Sequence, residues 1–187
     1  MNETNTYKNL KNKPKDNYPE YLIIHHTGAG ENNPFLSTAH HTAKSVENYH
    51  LSLGWEGIGY QKFIEFNGDI WEGRPEHYHG AHTKEKNMNR KSIGICLAGN
   101  FDIEMPTEEQ IKSLKSLLMG LMAKYNITPD KIVPHRYFAV DSSGKPYKSC
   151  FGSKLSDSWA RDLVSSDCVC LKDADLKQVI SRLKELI

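Results

Sequence analysis

The sequence predicts a single α/β domain with a central mixed β-sheet flanked by helices. Three observations predict it. Short apolar runs with β-branched members, YLIIHHT from Tyr21, SIGICLAG from Ser92 and KIVPH from Lys131, have the length and continuity of buried strands. Between them lie segments whose apolar residues recur at helical spacing, the longest after Pro106. A length of 187 residues with 38% hydrophobic and 25% charged residues suits one soluble domain able to bury its own core.

The elements follow in order. The first twenty residues, with Pro14 and Pro19 among lysines and asparagines, read as an extended polar lead-in to a domain that starts near Tyr21. YLIIHHT is a strand ending at His25, His26 and Thr27, stopped by Gly28 and Gly30. Ser37 is placed to cap a helix through TAHHTAKSVENYHLSL, which Gly54 closes. YQKFIEF and DIWEG flank Asn67-Gly68, a pair that predicts a hairpin with a type I′ turn. TEEQ, Thr107 to Gln110, is a capping box, and Ile111, Leu114, Leu117, Leu118, Leu121, Met122 and Tyr125 form the apolar stripe of the helix that follows. KIVPH is a short strand ending at His135. A polar loop then runs to Cys150, followed by a helix around SDSWARDLV and an amphipathic segment, DADLKQVISRLKELI. The expected division is an extended segment, 1–20, a domain, 21–164, and a tail with one amphipathic helix, 165–187.

A formal net charge of +1 sets up no broad field for nucleic acid or an anionic membrane. No apolar run has signal-peptide or membrane-span length, so the expectation is synthesis in the cytoplasm, without a signal peptide, as a monomer. Four cysteines, Cys96, Cys150, Cys168 and Cys170, are too few for a disulfide scaffold at this size and read as reduced thiols.

Cys150, in KPYKSC, sits in a polar loop with Lys148 and Lys145 close in sequence, an odd setting for a core thiol. His25 and His135 each end a strand. Two imidazoles and a thiolate from three segments suit zinc, with a fourth tetrahedral position open to water as in catalytic sites. Ligands scattered over more than a hundred residues form no local signature, however, and among nine histidines such a set also arises by chance. Read from the residues alone, core or surface histidines and an inert thiol stand level with the metal site.

The motifs IIHHTGAG, GIGYQKFIEFNGDIWEGRP, GAHTKEKNMNRKSIGICLAGNFD, PH and KSC, in that order over about residues 21–164, resemble the zinc-dependent N-acetylmuramoyl-L-alanine amidases of the amidase_2 family. That family includes the peptidoglycan recognition proteins, and the resemblance is strongest to its phage-lysozyme-type members. It implies one zinc ion on His25, His135 and Cys150, catalytic roles for Tyr60 and Lys148, and a peptidoglycan or muropeptide substrate. Two features depart from the pattern. The loop RYFAVDSSGKPY is longer than in compact members and makes Lys145 a competing lysine, and Cys96 stands where many relatives carry a glutamate base. The resemblance implies cleavage between N-acetylmuramic acid and L-alanine by a phage or prophage endolysin that acts on the cell wall after release or export. The alternatives are a non-catalytic peptidoglycan-binding module and a cytosolic muropeptide-recycling amidase; an unrelated zinc hydrolase or structural zinc protein would leave the motif order unexplained.

Within the resemblance, His82 of the GAH motif reads as a saccharide or peptide contact, Arg74 as a substrate contact or a brace of its turn, and Asn89 as a substrate contact or a loop-shaping residue. Strand alternation sends His26 to the face opposite His25, toward packing or a hydrogen bond. His40, His41 and His50, placed on the first helix, receive no metal role, and His77 and His79 are weaker candidates than His82 for a saccharide or peptide contact. Trp55 and Trp71 are assigned to the core ahead of the groove, Cys96 to the core, and Cys168 and Cys170 to ordinary packing of the tail.

Overall fold

The computed structural model describes residues 2–30 and 32–168, with side chains as far as residue 165. The segment DADLKQVISRLKELI and Cys170 lie outside the described residues, as does the side chain of Cys168. The elements are β1 (Asn2–Glu3), α1 (Asn5–Leu10), β2 (Tyr21–His26), α2 (Ala43–Ser52), β3 (Lys62–Ile64), β4 (Ile70–Glu72), β5 (Ser92–Leu97), α3 (Glu108–Tyr125), β6 (Ile132–Pro134) and α4 (Trp159–Cys168). Short 3-10 turns occur at Glu85–Arg90, Pro129–Lys131 and His135–Tyr137. The six strands form one mixed sheet in the order β1-β4-β3-β5-β2-β6, antiparallel only between β3 and β4. The predicted class, α/β with a central mixed sheet, is the observed one.

β2 lies between β5 and β6 and is covered on both faces, which is why its sequence is apolar at successive positions instead of alternating. Leu22 and Ile24 of β2, with Ile93, Ile95 and Leu97 of β5, pack under Leu114, Leu117, Leu118 and Leu121 of α3. Cys96 and Ala98 pack on the other face with Phe63 of β3 and Ala43 and Val46 of α2. The same face carries the Ile23, Val133, Met88 and Phe138 cluster. Among the described residues, no helix is long and apolar enough to cross a membrane.

Three local expectations are corrected. Residues 2–10 are folded, whereas the polar composition predicted an extended lead-in. β1 adds to the sheet edge in register with Trp71 and Glu72, and Thr4 caps α1 by accepting the Tyr7 N–H. Both the N–H and the hydroxyl of Thr6 donate to Glu47 Oε1 at 2.6 Å, and Leu10 is buried. The segment's polar groups find tertiary partners, so polarity did not imply solvation here. The first long helix starts at Ala43, capped by Thr42 in a reciprocal box with Ser45, so His40 and His41 precede it and Ser37 caps nothing. In the hairpin, Glu65 pairs with Asp69, and Gly68 donates to the Glu65 carbonyl at 2.9 Å with a φ of 85°. Asn67 stays out of the left-handed region. The connection is a three-residue loop closed by a left-handed glycine, not a two-residue type I′ turn.

The buried face of α3 covers an ion network that periodicity could not announce. Lys62, 1% exposed, reaches Glu72 and also Glu76 at 2.6 Å; Glu76 in turn accepts from Lys124 at 2.7 Å and from the Tyr125 hydroxyl at 2.6 Å. Burial alone would raise the Glu76 pKa, but Lys62, Lys124 and Tyr125 together pull it down to about 2. A carboxyl depressed from 4.5 to about 2 contributes stability that is complete above the unfolded value and is lost as pH falls through the folded one. Urea midpoints measured from pH 6 to pH 2 are therefore expected to reveal about 2–3 kcal/mol of acid-labile stability from this carboxyl, falling away between roughly pH 4.5 and 2. Glu76→Gln should be less stable at neutral pH and should lack that part of the acid dependence.

Candidate metal centre

His25 comes one residue before the end of β2, and strand alternation turns its side chain away from α3, next to Cys96 of β5 in the register of the sheet. His26 faces the other way. Its Nδ1 accepts the Phe101 N–H at 2.9 Å and its ring lies against Phe101, the hydrogen-bonded packing role expected for it. His135 follows directly after β6, whose pairing with β2 through Ile24 and Pro134 carries it to the same end of the sheet. The His25 and His135 ring centroids are 4.7 Å apart.

Cys150 is delivered by the loop after β6. Its carbonyl accepts the Arg136 N–H at 2.7 Å, and its Sγ lies 3.6 Å from His25 Nδ1. One donor atom from each of His25, His135 and Cys150 lies within 4.8 Å of the other two, the one such metal-ligating group among the described residues. Tetrahedral zinc with bonds of about 2.0 Å to nitrogen and 2.3 Å to sulfur needs a nitrogen–sulfur separation of about 3.5 Å. The 3.6 Å observed fits that ion, and the donors are of the kind it takes.

Electrostatics keep the imidazoles neutral, as metal ligation requires. Burial, reinforced by the neighbouring His135 and His82, holds His25 well below its usual pKa. Burial and then Lys148 lower His135 to about 4, with Glu85 opposing. Burial pushes the Cys150 thiol up to about 12, against the opposing pull of the His26 N–H and Lys148, so metal binding must displace its proton.

Tyr60 and Lys148 meet at this cluster. Gly59 lies so close to the Ala81 carbonyl that a Cβ would stand 2.5 Å from it, and this close approach sets the loop of Ala81 and His82 beside Tyr60. The Tyr60 ring is 5.1 Å from His25. Burial, with Cys96 and Cys150 adding to it, keeps the phenol protonated well beyond its ordinary range. Lys148 lines the same cleft as His25, Tyr60, His82, His135 and Cys150, whereas Lys145 lies outside its wall. The long loop from Arg136 to Tyr147 folds back on itself: Val140 bridges Pro146, and Asp141 Oδ1 accepts the N–H groups of Ser143 and Lys145. That turn occupies the backbone of Lys145 and returns the chain so that Lys148 faces the cluster.

The three remaining candidates differ. His82 stands over Gly94, where a Cβ would come 2.5 Å from its ring, and its Nδ1 is 3.1 Å from His25 Nε2. It lines the cleft, but its ring is engaged with His25. Asn89 uses Oδ1 to accept the N–H groups of His82 and Thr83, both at 2.8 Å, which is the loop-shaping alternative; it also lines a recess beside the cleft. The substrate-contact expectation for Arg74 is corrected. Arg74 is 2% exposed and donates to the carbonyls of Ile58 and His79, bracing the turn from inside. Trp55, 40% exposed and stacked on His50, lines the cleft, whereas Trp71 packs against the core.

Several contributors carried no sequence signal. His79 and Arg90 both bind Asp16, and His77 lies 3.1 Å from the Lys13 carbonyl, so these loop histidines fasten the N-terminal segment. The Cys96 thiol is buried with Ala43 and Phe63, as expected of a small core residue, and donates to the Leu97 carbonyl at 3.8 Å. Arg136 donates to the carbonyls of Ser149, Gly152 and Leu155 and to Asp157 at 2.6–2.9 Å, binding the segment around Cys150 to the one around His135. Arg136→Ala is expected to cost about 2–4 kcal/mol in urea unfolding, because it strands three carbonyls of that segment. Arg136→Lys should recover only part, lacking the planar fork.

The model of the Amidase_2 family, described as N-acetylmuramoyl-L-alanine amidase, matches residues 15–152. The chain belongs to the amidase_2 family. Among curated amidase_2 relatives, peptidoglycan-recognition protein SC2 of Drosophila melanogaster is 36% identical over 118 residues, 63% of this chain and 62% of that protein. The endolysin of Escherichia phage T7 is 38% identical over 87 residues, 44% of this chain and 56% of the endolysin. The chain thus spans between 54% and 62% of the length of the Drosophila relatives it matches. In structure it is similar to the N-acetylmuramoyl-L-alanine amidase LysC from Clostridium intestinale URNW, with a TM-score of 0.65 and 29% identity over 80% of this chain and 87% of that one. The amidase_2 resemblance read from the motif order is the family the comparisons find.

Proposed function

We propose that the protein is a zinc-dependent N-acetylmuramoyl-L-alanine amidase that cleaves peptidoglycan, in the manner of a phage or prophage endolysin. The observation that carries this reading is the gathering of His25, His135 and Cys150 donor atoms within 4.8 Å, with Tyr60 and Lys148 on the wall of the same cleft. A module that only binds peptidoglycan has no need of that donor set. The names of the phage T7 endolysin and the Clostridium amidase among the similar proteins support it further.

His25, His135 and Cys150 would hold the ion. Zinc supplies polarisation of the scissile carbonyl and a water acidic enough to attack near neutral pH. The protein's own residues do the rest. The Lys148 ammonium, beside the ligands, faces the charge that develops on the carbonyl oxygen. Tyr60 stays protonated, so its hydroxyl can pass a proton to the departing L-alanine nitrogen and regain one from the attacking water. The net change adds hydroxyl to the lactyl carbonyl of N-acetylmuramic acid and hydrogen to the amine. Cys96 supplies no carboxylate base, which leaves proton transfer to Tyr60.

Digestion of purified peptidoglycan tests the reading. New free L-alanine amino groups without new reducing sugars are expected; reducing ends alone would mean glycosidase action and overturn it. Unchanged peptidoglycan that nevertheless retains the protein would favour the non-catalytic alternative.

A further inference from the structure

Next to His135 lies a carboxylate that no motif singled out. His135 Nε2 and Glu85 Oε2 are both buried and neither has a hydrogen-bond partner. They face each other at 3.5 Å, with side chains 7% and 13% exposed. Two buried polar atoms without partners are costly unless they serve each other, and a shift of about 0.5 Å brings this pair into hydrogen-bond range. The other carboxylate oxygen, Oε1, accepts the Tyr147 hydroxyl. Glu85 opens the turn Glu85–Arg90, which buried Met88 anchors in the core. In that turn Lys86 and Asn87 hold φ values of 50° and 61°, a conformation that residues bearing side chains adopt only at a cost.

We propose that Glu85 is a positioning residue of the metal centre: it accepts the Nε2–H of His135, leaves Nδ1 of that ring to the ion, and ties the ligand through Tyr147 to the loop bearing Lys148. The inference rests on the reading of His25, His135 and Cys150 as the ligand set. Its chemistry is that of a carboxylate on the far nitrogen of a ligating imidazole. The carboxylate selects one tautomer, fixes the ring's orientation and makes the ring a better electron donor. Without it, the neutral ring divides between tautomers, one of which carries its proton on the ligating nitrogen. Tyr147 extends the same constraint to the loop, so the placement of Lys148 and of His135 are coupled.

Zinc affinity measured by competition with a chromophoric chelator, beside thermal melting of the chelator-stripped protein, tests this. Glu85→Ala is expected to weaken zinc binding roughly 10- to 100-fold, while the stripped protein melts much as wild type does. Glu85→Gln, which keeps an accepting oxygen without the charge, should recover part of the loss, and Tyr147→Phe should lose less than Glu85→Ala. Cobalt-substituted Glu85→Ala should show an altered visible spectrum. Wild-type zinc affinity in Glu85→Ala overturns the proposal, and so does a loss explained by an equal destabilisation of the stripped protein. His25→Ala separates the two readings: if it binds zinc as tightly as wild type, the ligand assignment fails and this inference with it. Tight, His25-dependent binding that ignores Glu85 removes this inference alone.

Discussion

Cys150→Ser is expected to abolish stoichiometric zinc binding and to lower peptidoglycan cleavage at least about a thousandfold, since the ion's contribution to the transition state is worth several kcal/mol. The substitution replaces a sulfur 3.6 Å from His25 Nδ1 with a smaller, harder and far less acidic donor. Cys150 is only partly buried at the margin of the main core, so the variant should fold and give an unaltered far-ultraviolet spectrum. His25→Ala should behave alike. Metal analysis and turnover on the same preparation check the expectation. Full zinc and full activity in Cys150→Ser would show that the third ligand lies elsewhere.

Lys148→Ala is expected to lower kcat by about 10²–10³ with little change in KM or zinc content, the signature of a group that acts on the transition state alone. The structure favours Lys148 over Lys145: its charge is felt by both His25 and His135 and it lines the cleft, while Lys145 has its backbone held in the Asp141 turn outside it. Lys145→Ala is the matched control and should cleave at the wild-type rate. A reversal of the two results would move the oxyanion role to the loop tip, and normal turnover in both would leave the reaction to the metal and Tyr60.

The parts of the site that could be read in advance were singled out by residue type and motif order together. His25 and His135 stand at the ends of apolar runs, and Cys150 is a thiol in a loop too polar to bury it as core. Tyr60, after the Gly57–Gly59 turn, was singled out by the family resemblance. Their convergence was an expectation from motif order, and the sheet supplies it by pairing β2 with β6. Arg136 and Glu85 belong to another kind. Nothing around either distinguishes it from a surface charge, because Arg136 acts on carbonyls 13–19 residues away and Glu85 on a ring 50 residues along the chain. Arg74 shows the converse error: a motif position read as a groove contact became a brace once packing enclosed it.

The sequence by itself determined the class of the fold, the strands β2, β5 and β6, the long helix α3 with its capping box, and the residue types for a His/His/Cys metal site. The fold elements follow from periodicity and capping, which act between neighbours in the chain, and the residue types of the metal site from donor chemistry taken together with the motif order of the family. Only the tertiary structure decided that residues 2–10 join the sheet edge, that Thr42 and not Ser37 starts α2, that Lys148 and not Lys145 lines the cleft of His25, His135 and Cys150, and that Lys62 lies buried between two glutamates. Those outcomes depend on which distant partner satisfies a polar group once it leaves water, and that choice exists only after the chain has closed on itself.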